Sequence, residues 1–511
     1  MYLNKFKGLS ILLLCLLSVI IGAITTLGFA PTDYAAFPFI GLIYFIYINK
    51  YYKKFALLNS YCFGVGFFGY GLSWIHLSLY KYGHIPLIIS LLIVIVFSLY
   101  LSLYILFFSY IVKRFKIKSS LVLTSFWILC LWIRGSFLTG FPWLELGYTQ
   151  IGFYLDKYAL LFGQLGVEFV LFYISALIAD FIYQLTHKEN FRILKTTILF
   201  CIVIIFSLFV HSYNPIHKDF KGYNFMLYQP NTSPLLKWNE NYIINELESY
   251  NNVIKSKANN NIIIFPETAI NVPENDITNV LSQWQKFLIS KNSELITGSI
   301  YIDQNKDIYN SMIVLGNIND PYYLRTSNRY KKVNLVPFGE YIPYIRYFSF
   351  VTKFLHMPQY FSKGSENQAS LELKNTFITP MICYEVAFGQ SVRKRFNPRS
   401  KFLVAISDDS WFGSSKGLNQ QLQMSRMLTL ELGRPMIVDS DTGITAIINY
   451  NGKILKEISI EQKAYLKYYL DSSVGKTFYI ERGYWIFNLG VVLIIIIDFI
   501  FGQKYIFLCK K

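Results

Sequence analysis

The chain has 511 residues, of which 53% are hydrophobic, 18% aromatic and only 15% charged, with a mean hydropathy of +0.35. Soluble domains carry about a quarter charged residues, so an ordinary soluble domain is excluded. The apolar surplus lies in the first 210 residues and separates a membrane part from a part of mixed composition. The formal charge of +17 falls largely in short loops between apolar stretches. It comes without an Arg-rich helix, zinc spacing or RNA-binding aromatic motif, which argues against a nucleic-acid partner.

In chain order, apolar stretches at about 9–29, 37–48, 55–79, 85–112, 120–133, 158–183 and 193–210 predict seven membrane helices, and 483–501 predicts an eighth. A helix needs about 20 apolar residues to cross the hydrocarbon core, so the second is short and the fifth marginal. The first is long for a signal-peptide core and further spans follow it, so it reads as an uncleaved helix. With the N-terminus in the cytoplasm, inside segments carry fifteen basic residues: Lys5, Lys7, Lys50, Lys53, Lys54, Lys113, Arg114, Lys116, Lys118, Lys188, Arg192, Lys195, Lys504, Lys510 and Lys511. The short outside loops carry three, Lys81, Arg134 and Lys157. This asymmetry follows the positive-inside rule and puts residues 211–480 outside the cytoplasm. Gly64, Gly66, Gly69 and Gly71 thin the third stretch for close helix packing. The loop 134–150, with Phe141 and Trp143, either anchors at the interface or lines an access route from the outer leaflet.

From Tyr223 the pattern changes. Strands are predicted at 225–228, 262–265, 295–302, 309–315, 377–383, 402–406 and 436–438, and helices at 234–256 and 274–290. Strands at 444–450 and 453–458 join through Asn451-Gly452, a hairpin turn. This alternation predicts a layered α/β domain of about 250 residues.

Catalytic groups in α/β sheets gather at strand carboxyl ends. Glu267 follows Ile262-Ile263-Ile264-Phe265-Pro266, Lys332 precedes Leu335-Val336-Pro337-Phe338-Gly339-Glu340, and Cys383 closes a third strand. A thiolate is a strong nucleophile. A carboxylate takes the thiol proton and returns it to a leaving group, and an ammonium stabilises an oxyanion. The bland reading of Cys383 is a small buried hydrophobe. Cys15, Cys62, Cys130 and Cys201 lie in apolar stretches and Cys509 in the tail; with no CxxC pair, neither a disulfide framework nor a zinc site is suggested. None of His76, His84, His187, His211, His217 and His356 sits in a nucleophile-type motif, which makes a Cys–His dyad the weaker alternative. The aromatic stretch 341–361 reads either as a lid dipping into the membrane interface or as packing against the membrane part.

The segments Phe265-Pro266-Glu267-Thr268-Ala269-Ile270, Tyr330 to Tyr341 and Ile382-Cys383-Tyr384-Glu385 resemble the three blocks of the carbon–nitrogen hydrolase (nitrilase) superfamily. Set between a membrane bundle and one further span, they are similar to the apolipoprotein N-acyltransferase family over nearly the whole chain. Ser73-Trp74, the 134–150 loop, Leu227 to Trp238, Trp411-Phe412-Gly413 and Glu431 to Pro435 share the likeness. The resemblance implies a catalytic Glu267–Lys332–Cys383 triad; it selects Lys332 over Lys331 because Lys332 lies three residues before the Leu-Val-Pro-Phe-Gly-Glu run. It also implies supporting roles for Trp238, Glu340, Tyr384 and Glu385, each of which has a bland reading as a structural hydrogen bond or core aromatic. The chain departs from the pattern at Asn334, where the family usually has His, and at Asp408 and Asp441, where Asn is expected.

The fold so implied is an α-helical transmembrane bundle of about eight spans (1–210, with 481–511 as a C-terminal helix and cytoplasmic tail). It is fused to an extracytoplasmic α/β nitrilase-like sandwich (211–480). The implied activity is transfer of a fatty acyl chain from a membrane phospholipid, through a Cys383 thioester, to the α-amino group of a diacylglyceryl apolipoprotein. The resemblance further implies a monomer in the bacterial inner membrane, with a periplasmic site, cytoplasmic termini and neither cofactor nor metal. Two rivals remain: a membrane-tethered amidase or nitrilase with water as acceptor, and a transporter or receptor with an inactive ectodomain. Against the latter, the spans show no polar lining of the kind a solute path needs.

Overall fold

A computed structural model of the chain describes residues 2–52, 54–233, 237, 240–344 and 360–502. Its contacts divide into two compact units: Met1–His76, Pro86–Asn214 and Glu481–Lys511 form the first, and Leu77–Ile85 with Pro215–Ile480 the second.

The first unit is helical. Helices Tyr2–Thr25, Ala36–Tyr51, Ala56–Gly71, Leu87–Phe115, Ser120–Ser136, Tyr158–Thr186, Asn190–Ser212 and Trp485–Ile497 fall on the apolar stretches. Among the described residues, five helices are long and apolar enough to cross a membrane. A sixth span results if Ala56–Gly71 and Ile75–Tyr82, bent by 51°, are taken together. The third stretch is therefore broken where the sequence predicts one helix. The break follows Gly69 and Gly71 and includes Ser73, small residues at which helices kink. Close packing explains two other glycines: a methyl group on Gly22 or Gly66 would overlap the backbone of Phe63 or Val19 on the facing helix.

Charged side chains do stand inside this bundle, contrary to the sequence reading. Lys50 donates to Asp180 (2.5 Å) and to Ser120 (2.9 Å), and Tyr51 donates to Asp180 (2.6 Å), so one ion pair joins three helices. Glu168 accepts from Trp127 Nε1 (2.9 Å), Gln164 Nε2 (2.9 Å) and the Gly147 N–H (3.2 Å). That last bond fixes the 134–150 loop, which is split: Phe137 and Leu138 are exposed, whereas Trp143, Leu144, Leu146 and Tyr148 are buried.

The second unit contains thirteen described strands: β1 (Ile216–Gln229), β2 (Ile262–Ile264), β3 (Ile270–Pro273), β4 (Glu294–Ile302), β5 (Ile308–Leu315), β6 (Arg329–Lys331), β7 (Leu371–Leu373), β8 (Thr376–Ile382), β9 (Ser400–Ser407), β10 (Met436–Ser440), β11 (Thr445–Ile448), β12 (Ile454–Ile458) and β13 (Ala464–Gly475). One sheet runs β13-β1-β2-β4-β5-β6, with β3 also on β4; the other runs β12-β11-β10-β9-β8-β7. Each has a parallel centre (β1/β2/β4 and β8/β9/β10) and antiparallel flanks. The sheets meet face to face, with Phe225 of β1 and Phe402 of β9 at 5.0 Å between ring centroids.

Helices Glu240–Lys257 and Thr278–Ser290 cover one outer face. Their Tyr250, Val253, Ile254, Leu281, Trp284 and Leu288 are buried with Ile263, Phe265 and Leu295 of the sheet. Helix Lys416–Leu432 packs on the other sheet beside β10. The result is an α–β–β–α sandwich. Of the helix predicted at 234–256, the structure describes Glu240–Lys257; residues 234–236, 238 and 239 lie outside the described residues.

Candidate active site

The parallel strands at each sheet centre end on the same side as their neighbours, and the polar residues that follow them gather there. β2 stops at Ile264 because Pro266 removes a ladder donor. Glu267 then heads a tight turn whose next residue, Thr268, has φ +49°. Gly298 of β4 lies directly under that turn: a methyl group there would stand 2.5 Å from Thr268 N and 2.6 Å from Pro266 O. Both carboxylate oxygens of Glu267 are used. Oε1 accepts from Lys332 Nζ (3.0 Å) and Asn310 Nδ2 (2.6 Å), and Oε2 accepts from the Asp408 N–H (2.8 Å).

Lys332 follows β6 and is 1% exposed. Its N–H donates to the Asn310 carbonyl (2.8 Å), which aims the side chain inward. There Nζ lies between Glu267 and Glu340 Oε1 (2.9 Å). The other oxygen of Glu340 accepts the Val336 N–H (2.8 Å), closing a loop in which Phe338 has φ +61°.

β8 ends at Ile382, and Cys383 opens the one-turn helix Cys383–Ala387 with φ +53°. Left-handed backbone at a non-glycine residue is costly and clusters at functional sites; here it occurs at Cys383, next to Glu267 and in the loop that carries Glu340. Glu385 accounts for the turn's rigidity. Fully buried, it accepts the Val333 and Asn334 N–H groups (2.8 and 3.0 Å), the Ile382 N–H (2.9 Å) and the Tyr330 hydroxyl (2.7 Å). One carboxylate thereby ties the turn bearing Cys383 to the segment following Lys332.

Electrostatics set the states of Lys332 and Cys383. Burial alone would lower the Lys332 ammonium, but Glu267 and Glu340 outweigh it and hold its pKa well above the usual lysine range. Burial and the neighbouring Glu267 charge push the Cys383 thiol well above its ordinary value, against the opposing pull of Lys332. The thiol is therefore protonated at neutral pH and needs a base at the moment of attack. The arrangement offers a protonated nucleophile, a carboxylate to accept its proton and a fixed cation.

Of the supporting residues, Glu340 meets Lys332 and Glu385 braces the turn, while Tyr384 is buried against Phe388 at 5.0 Å. Trp238 lies outside the described residues, as do 345–359 of the proposed lid. Asn334 contributes its N–H to Glu385, and its buried Oδ1 has no hydrogen-bond partner among the described residues. Asp408 and Asp441 share one cation, Lys237, whose Nζ donates to them at 2.7 and 3.2 Å. Sequence reasoning missed Lys237 and Asn310. Two acids directly after strands β9 and β10 are a signal that a buried cation is required; Asn310, in mid-strand β5, gives no signal of its own.

Residues 21–177 match the family model of the apolipoprotein N-acyltransferase N-terminal domain, and residues 227–478 match that of carbon-nitrogen hydrolase. The chain is 35% identical over 493 residues to the apolipoprotein N-acyltransferase of Haemophilus ducreyi, covering 95% of this chain and 96% of that one. It is 33% identical over 476 residues to the same-named protein of Haemophilus influenzae, covering 92% and 91%. Among solved structures it is similar to Nit3 of Saccharomyces cerevisiae, a member of branch 10 of the nitrilase superfamily. That likeness has a TM-score of 0.37 and 14% identity, and covers 51% of this chain and 92% of that chain.

Proposed function

Because the chain belongs to the apolipoprotein N-acyltransferase family of the carbon–nitrogen hydrolase superfamily, we propose that Glu267, Lys332 and Cys383 carry out its acyl transfer in two half-reactions. The activity is N-acylation of apolipoproteins, by a membrane protein with several spans whose substrates are a lipid and a lipoprotein.

In the first half-reaction Glu267 takes the Cys383 thiol proton and the sulfur attacks an ester carbonyl of a membrane phospholipid. The tetrahedral oxyanion forms beside the Lys332 ammonium, which a buried, pre-oriented position makes effective. The intermediate collapses, Glu267 returns its proton to the leaving oxygen, and a lysophospholipid departs from a thioester on Cys383. In the second, the α-amino group of a diacylglyceryl-cysteine attacks that thioester; Glu267 accepts its proton and passes it to the leaving sulfur. Glu340 holds Lys332, Glu385 holds the nucleophile turn, and the Tyr384 N–H at that turn assists the oxyanion. Trp238 contributes to substrate binding. The observation that carries this reading is the hydrogen-bonded Glu267–Lys332–Glu340 set electrostatically coupled to Cys383.

All eight apolar helices cross the bilayer in this reading, the 16-residue Ala36–Tyr51 and the shorter C-terminal helix spanning with the help of flanking residues. Residues 211–480 are then the periplasmic catalytic domain of a monomer whose two ends lie in the cytoplasm. The test is isotope exchange. Labelled lysophospholipid should enter phospholipid without any apolipoprotein present; exchange that requires the acceptor would overturn the two-step scheme.

A further inference from the structure

We propose that Lys237, held by Asp408 and Asp441, is a positioning residue that keeps Glu267 competent as the base. The inference rests on the reading of Glu267 given above. Four contacts form a closed loop of bonds. Lys237 Nζ meets Asp408 Oδ2 (2.7 Å), Asp441 Oδ2 (3.2 Å) and the main-chain carbonyl of Glu267 itself (3.3 Å), and the Asp408 N–H holds Glu267 Oε2 (2.8 Å). Lys237 is 2% exposed. Asp408 and Asp441 follow β9 and β10, so this cation fastens the base at the end of β2 to the opposite sheet.

Among the described residues, the charges facing this set come from several elements, including Asp439 of β10. Lys332 follows β6, Glu340 lies in the loop beyond it, Cys383 follows β8, Asp409 follows β9 and Glu246 stands on helix Glu240–Lys257. Glu246 accepts from Thr232 Oγ1 (2.9 Å) and Asn271 Nδ2 (3.1 Å), and that same amide donates to the Lys237 carbonyl (2.5 Å). Carboxylates therefore outnumber the two lysines in this connected set. Burial, eased by Lys237, raises Asp441 to about 6 and Glu246 to about 7, so charge balance here depends on pH. Two buried acids stand here side by side, and the lysine between them offsets their charge.

The experiment measures the initial rate of Cys383 acylation by phosphatidylethanolamine/phosphatidylglycerol vesicles between pH 5 and 9. K237M should move the acid limb of the profile upward by about one unit, the effect of losing an adjacent opposite charge. K237M/D408N should bring it back toward the wild-type position. D441N, whose Oδ1 still accepts the Thr232 N–H (2.8 Å), should move it downward and carries the test if K237M does not fold. Limbs that stay in place in K237M and D441N, whatever the rates, would overturn the proposal. E267Q is the control: acylation surviving in it would overturn the base assignment, whereas loss of acylation in E267Q with unmoved limbs overturns only the role of Lys237.

Discussion

Replacing Glu385 with Ala removes the acceptor for three main-chain N–H groups, two of them fully buried, and for the Tyr330 hydroxyl, and takes from Arg395 the carboxylate 3.6 Å away. Each orphaned buried donor costs about 1–3 kcal/mol, and losing one member of a buried charged set costs about 3–5 kcal/mol. The contacts share one carboxylate, so their costs do not add. A local penalty of about 3 kcal/mol is the expected size, on the order of a 100-fold easier opening of the two linked segments. Hydrogen-exchange mass spectrometry of the full chain in nanodiscs reads this directly. Peptides covering 330–340 and 381–388 should exchange on the order of 100-fold faster in E385A, with the β4 and β10 peptides unchanged. E385Q, which keeps one acceptor oxygen, should fall between. A folded E385A with wild-type protection in both segments would refute the argument that this carboxylate ties Lys332 to Cys383.

Gly298→Ala should push the Glu267 turn out of place, because the added methyl would meet its backbone at 2.5–2.7 Å. A displacement near 1 Å costs on the order of 100-fold in rate, so acylation within threefold of wild type would count against the packing account. Burial raises Glu294 to about 7 from 4.5, against the help of the Lys374 N–H, so the folded state binds this proton more tightly than the unfolded one. Its contribution to stability is complete below about pH 4.5 and is lost as pH rises to about 7. E294Q should therefore flatten the fall in melting temperature between pH 5 and 8; an unchanged slope would contradict it. In the bundle, K50M should cost about 3–5 kcal/mol by stranding Asp180 and lower the melting temperature in detergent, and K50M/D180L should recover most of the loss. Equal melting of the two variants would show that the ion pair is not what joins the three helices.

The parts of the fold legible in the sequence are those written in apolar pattern. Ile262-Ile263-Ile264, the run before Cys383 and the eight apolar stretches each announce their element, and strand ends then point to Glu267, Cys383 and the Lys331-Lys332 pair, from which the family resemblance takes Lys332. What escaped depends on partners distant in the chain. β13 carries Tyr465, Lys467 and Tyr469 outward and buries only two apolar side chains, Leu466 and Leu470, beside Ser472 and Ser473, so it becomes a strand through its register with β1 from Ile216↔Gly475 to Gln229↔Ala464. The first half of β1, His-Lys-Asp-Phe-Lys-Gly, is polar for the same reason. Asn310 and Lys237 acquire meaning only when β5 and the Lys237 segment reach Glu267. The left-handed backbone at Thr268, Phe338 and Cys383 has no signature, since none of them is glycine. The bend between Gly71 and Ile75 was hidden because hydropathy runs through it unbroken.

The most direct test of the account is mass spectrometry of the peptide containing Cys383 after the purified protein meets phospholipid vesicles. The account predicts one fatty-acyl mass on that peptide, absent in C383A and strongly reduced in K332M, discharged by a diacylated lipopeptide and recovered on its α-amino group. An acyl mass on another residue, or one lost to water equally fast with and without lipopeptide, would contradict it.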